Sequence, residues 1–123
     1  MFEFYRDVVG LDVMARWEDI VFFKIAEGHG GHTQVLALFA MDRASNAGRP
    51  QWEHVDVRNT TLHHLAFTID LIDFESEKQR LEGLDQDVRV SEHAWVQWRS
   101  LYINDPDGNV VEFVCFDGSI EKP

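Results

Sequence analysis

The sequence predicts an α+β fold made of two related halves. The elements expected along the chain are helix–strand–strand–strand, then a polar segment, then strand–helix–strand–strand–strand. Gly10-Leu-Asp-Val13 in the first half is echoed by Gly83-Leu-Asp-Gln-Asp-Val88 in the second. Val35-Leu-Ala-Leu-Phe39 is echoed, at nearly the same separation, by Val110-Val-Glu-Phe-Val114. This internal repeat lacks one strand at its front.

The first half, residues 1–41, is predicted to be a short helix followed by three strands. Phe2, Tyr5 and Val9 fall at helical spacing, and Gly10 stands where a left-handed C-terminal cap is expected. The following segments are rich in aromatic and β-branched residues, which favour strands. The predicted strands are 11–17, 20–26 and 34–40, with a turn over 28–32.

Residues 42–61 are predicted to be a linker, or a lid over a site. The segment shows neither helical nor strand periodicity and is long for a connection within a compact domain. We expect Trp52 to close the mouth of a cleft or to pack on a partner chain, and His54 to be an accessory acid or base.

The second half, residues 62–123, is predicted to be a strand, a helix and three strands. The helix is expected from Asp73, as its N-cap, to Glu82, with Gly83 ending it. The strands are expected at 62–69, 87–91, 95–103 and 109–116. Asp105-Pro-Asp-Gly108 has the residue types of a tight turn between the last two strands.

Charge and composition exclude several functions. The chain has 22 acidic and 11 basic residues and a net charge of −11, so it repels nucleic acid and anionic membrane surfaces. No apolar run approaches the roughly 20 residues of a membrane span, and the N-terminus does not resemble a signal peptide. Cys115 is the only cysteine, which excludes an intrachain disulfide. These features predict a cytoplasmic protein that binds neither nucleic acid nor a membrane surface.

Two residues could carry chemistry. Strand alternation places His64, Ala66 and Thr68 on one face, opposite an apolar face. Glu112 lies within an apolar strand, where a carboxylate must be exposed, paired with a base or bound to a metal. An imidazole and a carboxylate together suit a divalent ion. Taken singly, each residue is more often an ordinary core or surface group.

Three segments together resemble the vicinal oxygen chelate superfamily, which includes glyoxalases, bleomycin-resistance proteins and extradiol dioxygenases. They are Phe4-Tyr-Arg-Asp-Val-Val-Gly-Leu11, Leu62-His-His-Leu-Ala-Phe67 and Asp105-Pro-Asp-Gly-Asn-Val-Val-Glu-Phe113. The resemblance implies two βαβββ modules, each forming a curved mixed sheet around a cleft, with the first strand of module one missing from this chain. It also implies a divalent metal ion, such as Fe, Mn, Zn or Ni.

The resemblance assigns ligands residue by residue. His64 and Glu112 match the ligands of the second module, and we expect their ligating atoms roughly 3–5 Å apart. His63 falls on the opposite face and is expected to be structural or solvated. Ala37 stands where module one would supply a ligand, which disfavours the lactoylglutathione lyase reaction. Two protein ligands alone would bind a metal weakly, since three are usual in catalytic sites.

Further site residues follow from the strand before Glu112. Tyr102 shares a face with Trp98 and Ser100, and its strand is expected to pair with the Glu112 strand. The resemblance implies substrate contact by this tyrosine, as in the fosfomycin-resistance thiol transferases, although the basic residues that those enzymes need are not evident here. The predicted catalytic residues are Glu112 and Tyr102, and the predicted substrate-binding residues are Tyr102, Trp98, Ser100, Trp52 and His54. His32 and His93 fall in turns or loops and are expected to face solvent.

Two functional hypotheses result. The first is a metal-dependent enzyme of the vicinal oxygen chelate type, glyoxalase- or dioxygenase-like, with the metal as Lewis acid and a slight preference for a dioxygenase. The second is a metal-independent protein that sequesters a ligand, as bleomycin-resistance proteins do. Exposed sheet edges predict a homodimer in both cases.

Overall fold

The computed structural model describes residues 1–40 and 63–123. The chain divides into two compact units, Met1–Thr60 and Thr61–Pro123. The predicted linker or lid, with Trp52 and His54, lies outside the described residues, so its role stays a prediction. No helix in the described ranges is long and apolar enough to cross a membrane.

The first unit consists of a short helical segment and an antiparallel sheet. Its elements are the helical segment Phe4–Val8 and the strands β1 (Asp12–Arg16), β2 (Ile20–His29) and β3 (His32–Phe39), in the order β1-β2-β3. Tyr5 and Phe23 are buried at the centre of this unit, with their ring centroids 6.1 Å apart. Gly10 has a φ of +83°, which confirms the left-handed position predicted at the end of the helical segment.

The hairpin between β2 and β3 is tighter than the sequence predicted. The expected turn over residues 28–32 is reduced to Gly30 and Gly31, and His29 pairs with His32. Both glycines have positive φ, at +62° and +83°. Two successive residues of this kind make a two-residue turn whose twist matches the flanking strands, so the strands extend to its edge.

The second unit has the predicted order of strand, helix and three strands. Its elements are β4 (His64–Thr68), a 3₁₀ turn (Leu71–Asp73), α1 (Phe74–Gly83), β5 (Arg89–His93), β6 (Trp98–Asn104) and β7 (Val110–Phe116). The sheet order is β4-β7-β6-β5, in which β4 and β7 are parallel and the other pairs antiparallel. The predicted α+β class, with mixed strands, is confirmed.

Asp73 occupies the predicted N-cap position of α1, but the end of the helix differs from the prediction. Asp73 has helical backbone angles, as the last residue of the 3₁₀ turn, and its side chain makes no capping hydrogen bond to the described chain. Its carbonyl oxygen instead accepts a 2.9 Å hydrogen bond from the hydroxyl of Ser76. Gly83 still lies within the helix, and the left-handed residue beyond it is Asp85, with a φ of 57°.

The strands of the β5–β6 hairpin also have different bounds from those predicted. His93 pairs with Trp98, so β5 starts and ends two residues later than predicted, and β6 begins three residues later than the predicted Trp95. The four residues between the strands form the turn, in which Gln97 has a φ of 58°. The side chain of Gln97 donates a 2.9 Å hydrogen bond to the carbonyl of Ile120, which secures this turn to the C-terminal segment.

The two faces of the second sheet differ sharply. Leu101, Ile103 and Val111 are buried on one face. The guanidinium of Arg99, on that same face, lies 5.5 Å from the ring centroid of Phe74 in α1. The helix therefore covers the apolar face, and the polar side chains of β4, β6 and β7 project from the other.

Candidate metal centre

Glu112 is the centre of the polar face. It lies in the middle of β7, between β4 and β6, and only 4% of its surface is exposed. Its Oε1 atom accepts hydrogen bonds from the Ser100 hydroxyl at 2.6 Å and from the Tyr102 hydroxyl at 2.8 Å. Two donors on one oxygen fix the orientation of the carboxylate and offset part of the cost of burying it.

The second oxygen of Glu112 faces His64. Its Oε2 atom lies 3.0 Å from Nε2 of His64, at the short end of the separation expected from the sequence. In the parallel pairing of β4 with β7, Ala66 lies opposite Glu112, and its small side chain leaves room for the two longer ones to meet. The roles of His64 and Glu112 as metal ligands stay a prediction.

His63 is closer to this pair than expected. Its Nδ1 atom lies 2.7 Å from Nδ1 of His64. Strand alternation placed His63 on the opposite face, but β4 begins only at His64, so alternation does not govern the residue before it. One of the two nitrogens must carry the proton that they share. A metal-binding Nε2 on His64 would leave Nδ1 protonated, with His63 as the acceptor.

His93 is the site residue that the sequence analysis missed. It was expected to face solvent from a turn, but it is the half-buried last residue of β5. Its Nε2 atom lies 2.9 Å from the hydroxyl of Tyr102, and the two rings meet edge to face. The prediction ended β5 at Ser91. A strand two residues longer would have placed His93 opposite Trp98, on the face of Tyr102 and Glu112.

The Tyr102 hydroxyl is protonated at neutral pH. Burial raises its pKa above the usual 10.0, and the hydrogen bond to the Glu112 carboxylate raises this pKa further, against an opposing effect of Ser100. A phenol in this state has one hydrogen to donate, and here it is donated to Glu112.

Trp98 and Ser100, the other predicted substrate contacts among the described residues, lie on the same face. Trp98 is partly exposed and pairs with the exposed Phe116 across β6 and β7. Ser100 is fully buried, and its hydroxyl donates to Glu112. We interpret Ser100 as a residue that orients the carboxylate, because a buried and engaged hydroxyl has no surface to offer a substrate.

The His64–Glu112 pair fits part of a metal centre. Two donor atoms bound at right angles, each about 2.1 Å from an ion, lie about 3.0 Å apart, and this is the Nε2–Oε2 separation. The Ser100 and Tyr102 hydroxyls donate hydrogen bonds to Oε1, and hydrogen bonds of this kind orient carboxylates that bind a metal. In the described ranges, no group of three or more His, Cys, Asp or Glu side chains could hold a metal. The described ranges therefore offer this pair alone, where three protein ligands are usual in catalytic sites.

Comparison with known proteins decides the family. A sequence model of the Glyoxalase/Bleomycin resistance protein/Dioxygenase superfamily matches residues 1–113. The chain belongs to this superfamily. The resemblance drawn from the three sequence motifs is thereby confirmed, as is the glyoxalase-like α+β fold.

Relatives within the superfamily include the metallothiol transferase FosB. The Staphylococcus epidermidis and Staphylococcus haemolyticus proteins are each 30% identical to this chain over 127 aligned positions, covering 97% of the chain and 74% of the relative. The crystal structure of lactoylglutathione lyase from Agrobacterium tumefaciens is 33% identical, with a TM-score of 0.64, covering 92% of this chain and 81% of that one.

A more distant superfamily member shares the fold. The structure of FosX from Listeria monocytogenes, complexed with Mn(II) and sulfate, has a TM-score of 0.65 at 16% identity. The match covers 95% of this chain and 79% of the FosX chain. At this identity the likeness concerns the fold alone.

Proposed function

We propose that the chain is a divalent-metal-dependent enzyme acting on a small molecule, with His64 Nε2 and Glu112 Oε2 as two of the metal ligands. The observation that carries the proposal is that the two oxygens of the buried Glu112 carboxylate have different partners. Oε1 is occupied by the hydroxyls of Ser100 and Tyr102, while Oε2 is directed to an imidazole nitrogen 3.0 Å away. A buried anion facing a histidine is a favourable place for a cation.

The bound ion would act as a Lewis acid that polarises an oxygen atom of the substrate. The residues of this chain prepare the centre. Ser100 and Tyr102 hold the carboxylate in one orientation, and His63 is placed to accept the Nδ1 hydrogen of His64. Trp98 supplies a partly exposed aromatic surface on the same face for the apolar part of a substrate.

The reaction class that we propose is thiol transfer to an oxygen-bearing electrophile. This replaces the slight preference for a dioxygenase, because the relatives at about 30% identity include a protein named metallothiol transferase. The lactoylglutathione lyase is 33% identical, but Ala37 leaves one expected ligand missing and weighs against the lyase reaction. The alternative function is metal-independent binding of a small molecule, favoured by the two-residue ligand set of the described ranges.

Metal titration of the purified protein tests the proposal. We expect the parent to bind Mn²⁺ or Ni²⁺ in calorimetry. His64→Ala and Glu112→Gln should each weaken metal binding by more than roughly 10- to 100-fold. That range is the usual loss when a residue that only hydrogen-bonds a metal ligand is removed. His32→Ala and Glu92→Gln are controls, because they remove the same residue types at exposed positions. A parent protein that binds no divalent ion would leave the metal-independent function in its place.

The reaction class is tested separately. The metal-loaded parent is incubated with a thiol and a panel of epoxides and other electrophiles, and free thiol is measured over time. We expect thiol consumption that requires the metal and disappears in His64→Ala. Metal binding without thiol consumption on any electrophile would retain the metalloenzyme and reject thiol transfer.

A further inference from the structure

His93 is connected to the metal-ligand pair through a chain of hydrogen bonds. Its Nε2 atom contacts the hydroxyl of Tyr102 at 2.9 Å, and that hydroxyl contacts Oε1 of Glu112 at 2.8 Å. The three residues come from three neighbouring strands, β5, β6 and β7. His93 itself makes no hydrogen bond to Glu112 or His64 within the described chain, so its hydrogen-bonded connection to the centre runs through Tyr102.

Counting hydrogens assigns the direction of each bond. The Tyr102 hydroxyl has one hydrogen, and a carboxylate oxygen is only an acceptor, so Tyr102 donates to Glu112. The phenol oxygen must then accept from His93, which requires a hydrogen on Nε2 of that imidazole. The chain therefore runs from the His93 Nε2–H to the Tyr102 oxygen, and from the Tyr102 O–H to Glu112.

We infer that His93 is a positioning residue of this centre, which directs the O–H of Tyr102 onto Oε1 of Glu112 and so leaves Oε2 for the ligand side. A phenol hydroxyl rotates about its C–O bond, and a donor on its oxygen selects the rotation in which the hydrogen points to Glu112. The inference rests on the proposed function where it concerns the metal. The His93–Tyr102–Glu112 geometry does not depend on it.

The competing explanation is that His93 only packs its ring against Tyr102, since the two rings meet at 89° with centroids 6.3 Å apart. Two variants separate these roles. His93→Phe keeps an aromatic ring and removes the donor. His93→Gln removes the ring and keeps an N–H that reaches a similar position.

The decisive experiment is a double-mutant cycle read by Mn²⁺ affinity. We expect His93→Phe to weaken binding by roughly 3- to 10-fold, less than a residue that contacts a ligand directly. His93→Gln should stay within about 2-fold of the parent. In a Tyr102→Phe background, His93→Phe should cause no further loss, because the two residues act through one bond. Equal losses in both His93 variants, or additive losses in the double variant, would overturn the inference.

A second readout keeps this inference separate from the proposed function. The same four proteins of the cycle are unfolded in urea without metal. His93→Phe should lower the unfolding midpoint in the parent and leave it unchanged in the Tyr102→Phe background. If the parent binds no metal, the proposed function fails, and this cycle alone decides whether His93 is coupled to Tyr102. Independent effects on the midpoint would reject the coupling.

Discussion

The hydroxyl of Ser100 donates a 2.6 Å hydrogen bond to Oε1 of Glu112, and neither residue has appreciable exposed surface. Ser100→Ala removes this donor and leaves a buried carboxylate oxygen with Tyr102 alone. We expect the free energy of unfolding to fall by about 1–3 kcal/mol, measured in urea. Ser91 lies opposite Ser100 on β5 and is less buried. Ser91→Ala is the control, with an expected change within about 0.5 kcal/mol, and equal losses in both variants would contradict the prediction.

His63→Ala should weaken metal binding without unfolding the protein. The substitution removes the group that contacts Nδ1 of His64 at 2.7 Å, so the imidazole of His64 loses a partner that fixes its tautomer. We expect an affinity loss of roughly 10-fold or more, measured by Mn²⁺ calorimetry, with an unchanged melting temperature because His63 is exposed. An affinity equal to that of His32→Ala would show that the contact has no influence on the centre.

Asp117 should make stability depend on pH in the acidic range. Hydrogen bonds from the hydroxyl and backbone N–H of Ser119, aided by Arg99, lower the pKa of this carboxyl below 3.8, against the opposing effect of burial. A lowered folded-state pKa stabilises the protein above the unfolded-state value, and this contribution is lost as the pH falls through the folded-state pKa.

The comparison that checks this prediction is between the parent and Asp117→Asn. The variant should be less stable at neutral pH, and the difference in urea midpoint should shrink as the pH falls below about 4. Asp87→Asn, at an exposed position, should show a much smaller pH-dependent difference. If the difference in urea midpoint between the parent and Asp117→Asn grew as the pH fell, the folded-state pKa of Asp117 would not be lowered, and the prediction would be wrong.

Asp85→Gly should stabilise the second unit. Asp85 has a φ of 57° just beyond α1, a conformation that glycine adopts without steric cost. We expect a gain of up to about 1 kcal/mol in the free energy of unfolding, because relief of the left-handed conformation, which costs an L-residue roughly 1–2 kcal/mol, is partly offset by the greater conformational entropy that glycine loses on folding. Gln97→Gly is the matched control. Gln97 has nearly the same φ, but its side chain donates to Ile120, so the variant loses that bond and should not be stabilised.

The homodimer expected from the sequence stays a prediction. The described sheets end in β1 and β3 in the first unit and in β4 and β5 in the second, and edge strands of this kind require covering. We expect light scattering at micromolar concentration to give about twice the chain mass of 14.3 kDa. A mass equal to one chain would reject it.

The grouping of candidate site residues on one face within each strand followed from the sequence alone. Alternation within a strand is a local property, so it placed His64 opposite the apolar side chains of β4 and grouped Trp98, Ser100 and Tyr102 on one face. The order of elements was equally local, because helical and strand periodicities are visible in single segments. The left-handed Gly10 was predictable for the same reason, since its position follows a single helical turn.

Only the tertiary structure decided which side chains meet. Glu112 binds Ser100, Tyr102 and His64 because β7 lies between β4 and β6 with one particular register, and order and register depend on contacts between distant segments. His93 joined the site because pairing with Trp98 places the end of β5 two residues later than predicted, which single-strand periodicity does not indicate. The left-handed conformation of Asp85 was likewise not predictable from the local sequence. A nearby glycine satisfied the local pattern, but α1 includes Gly83, and the left-handed residue lies two positions beyond it.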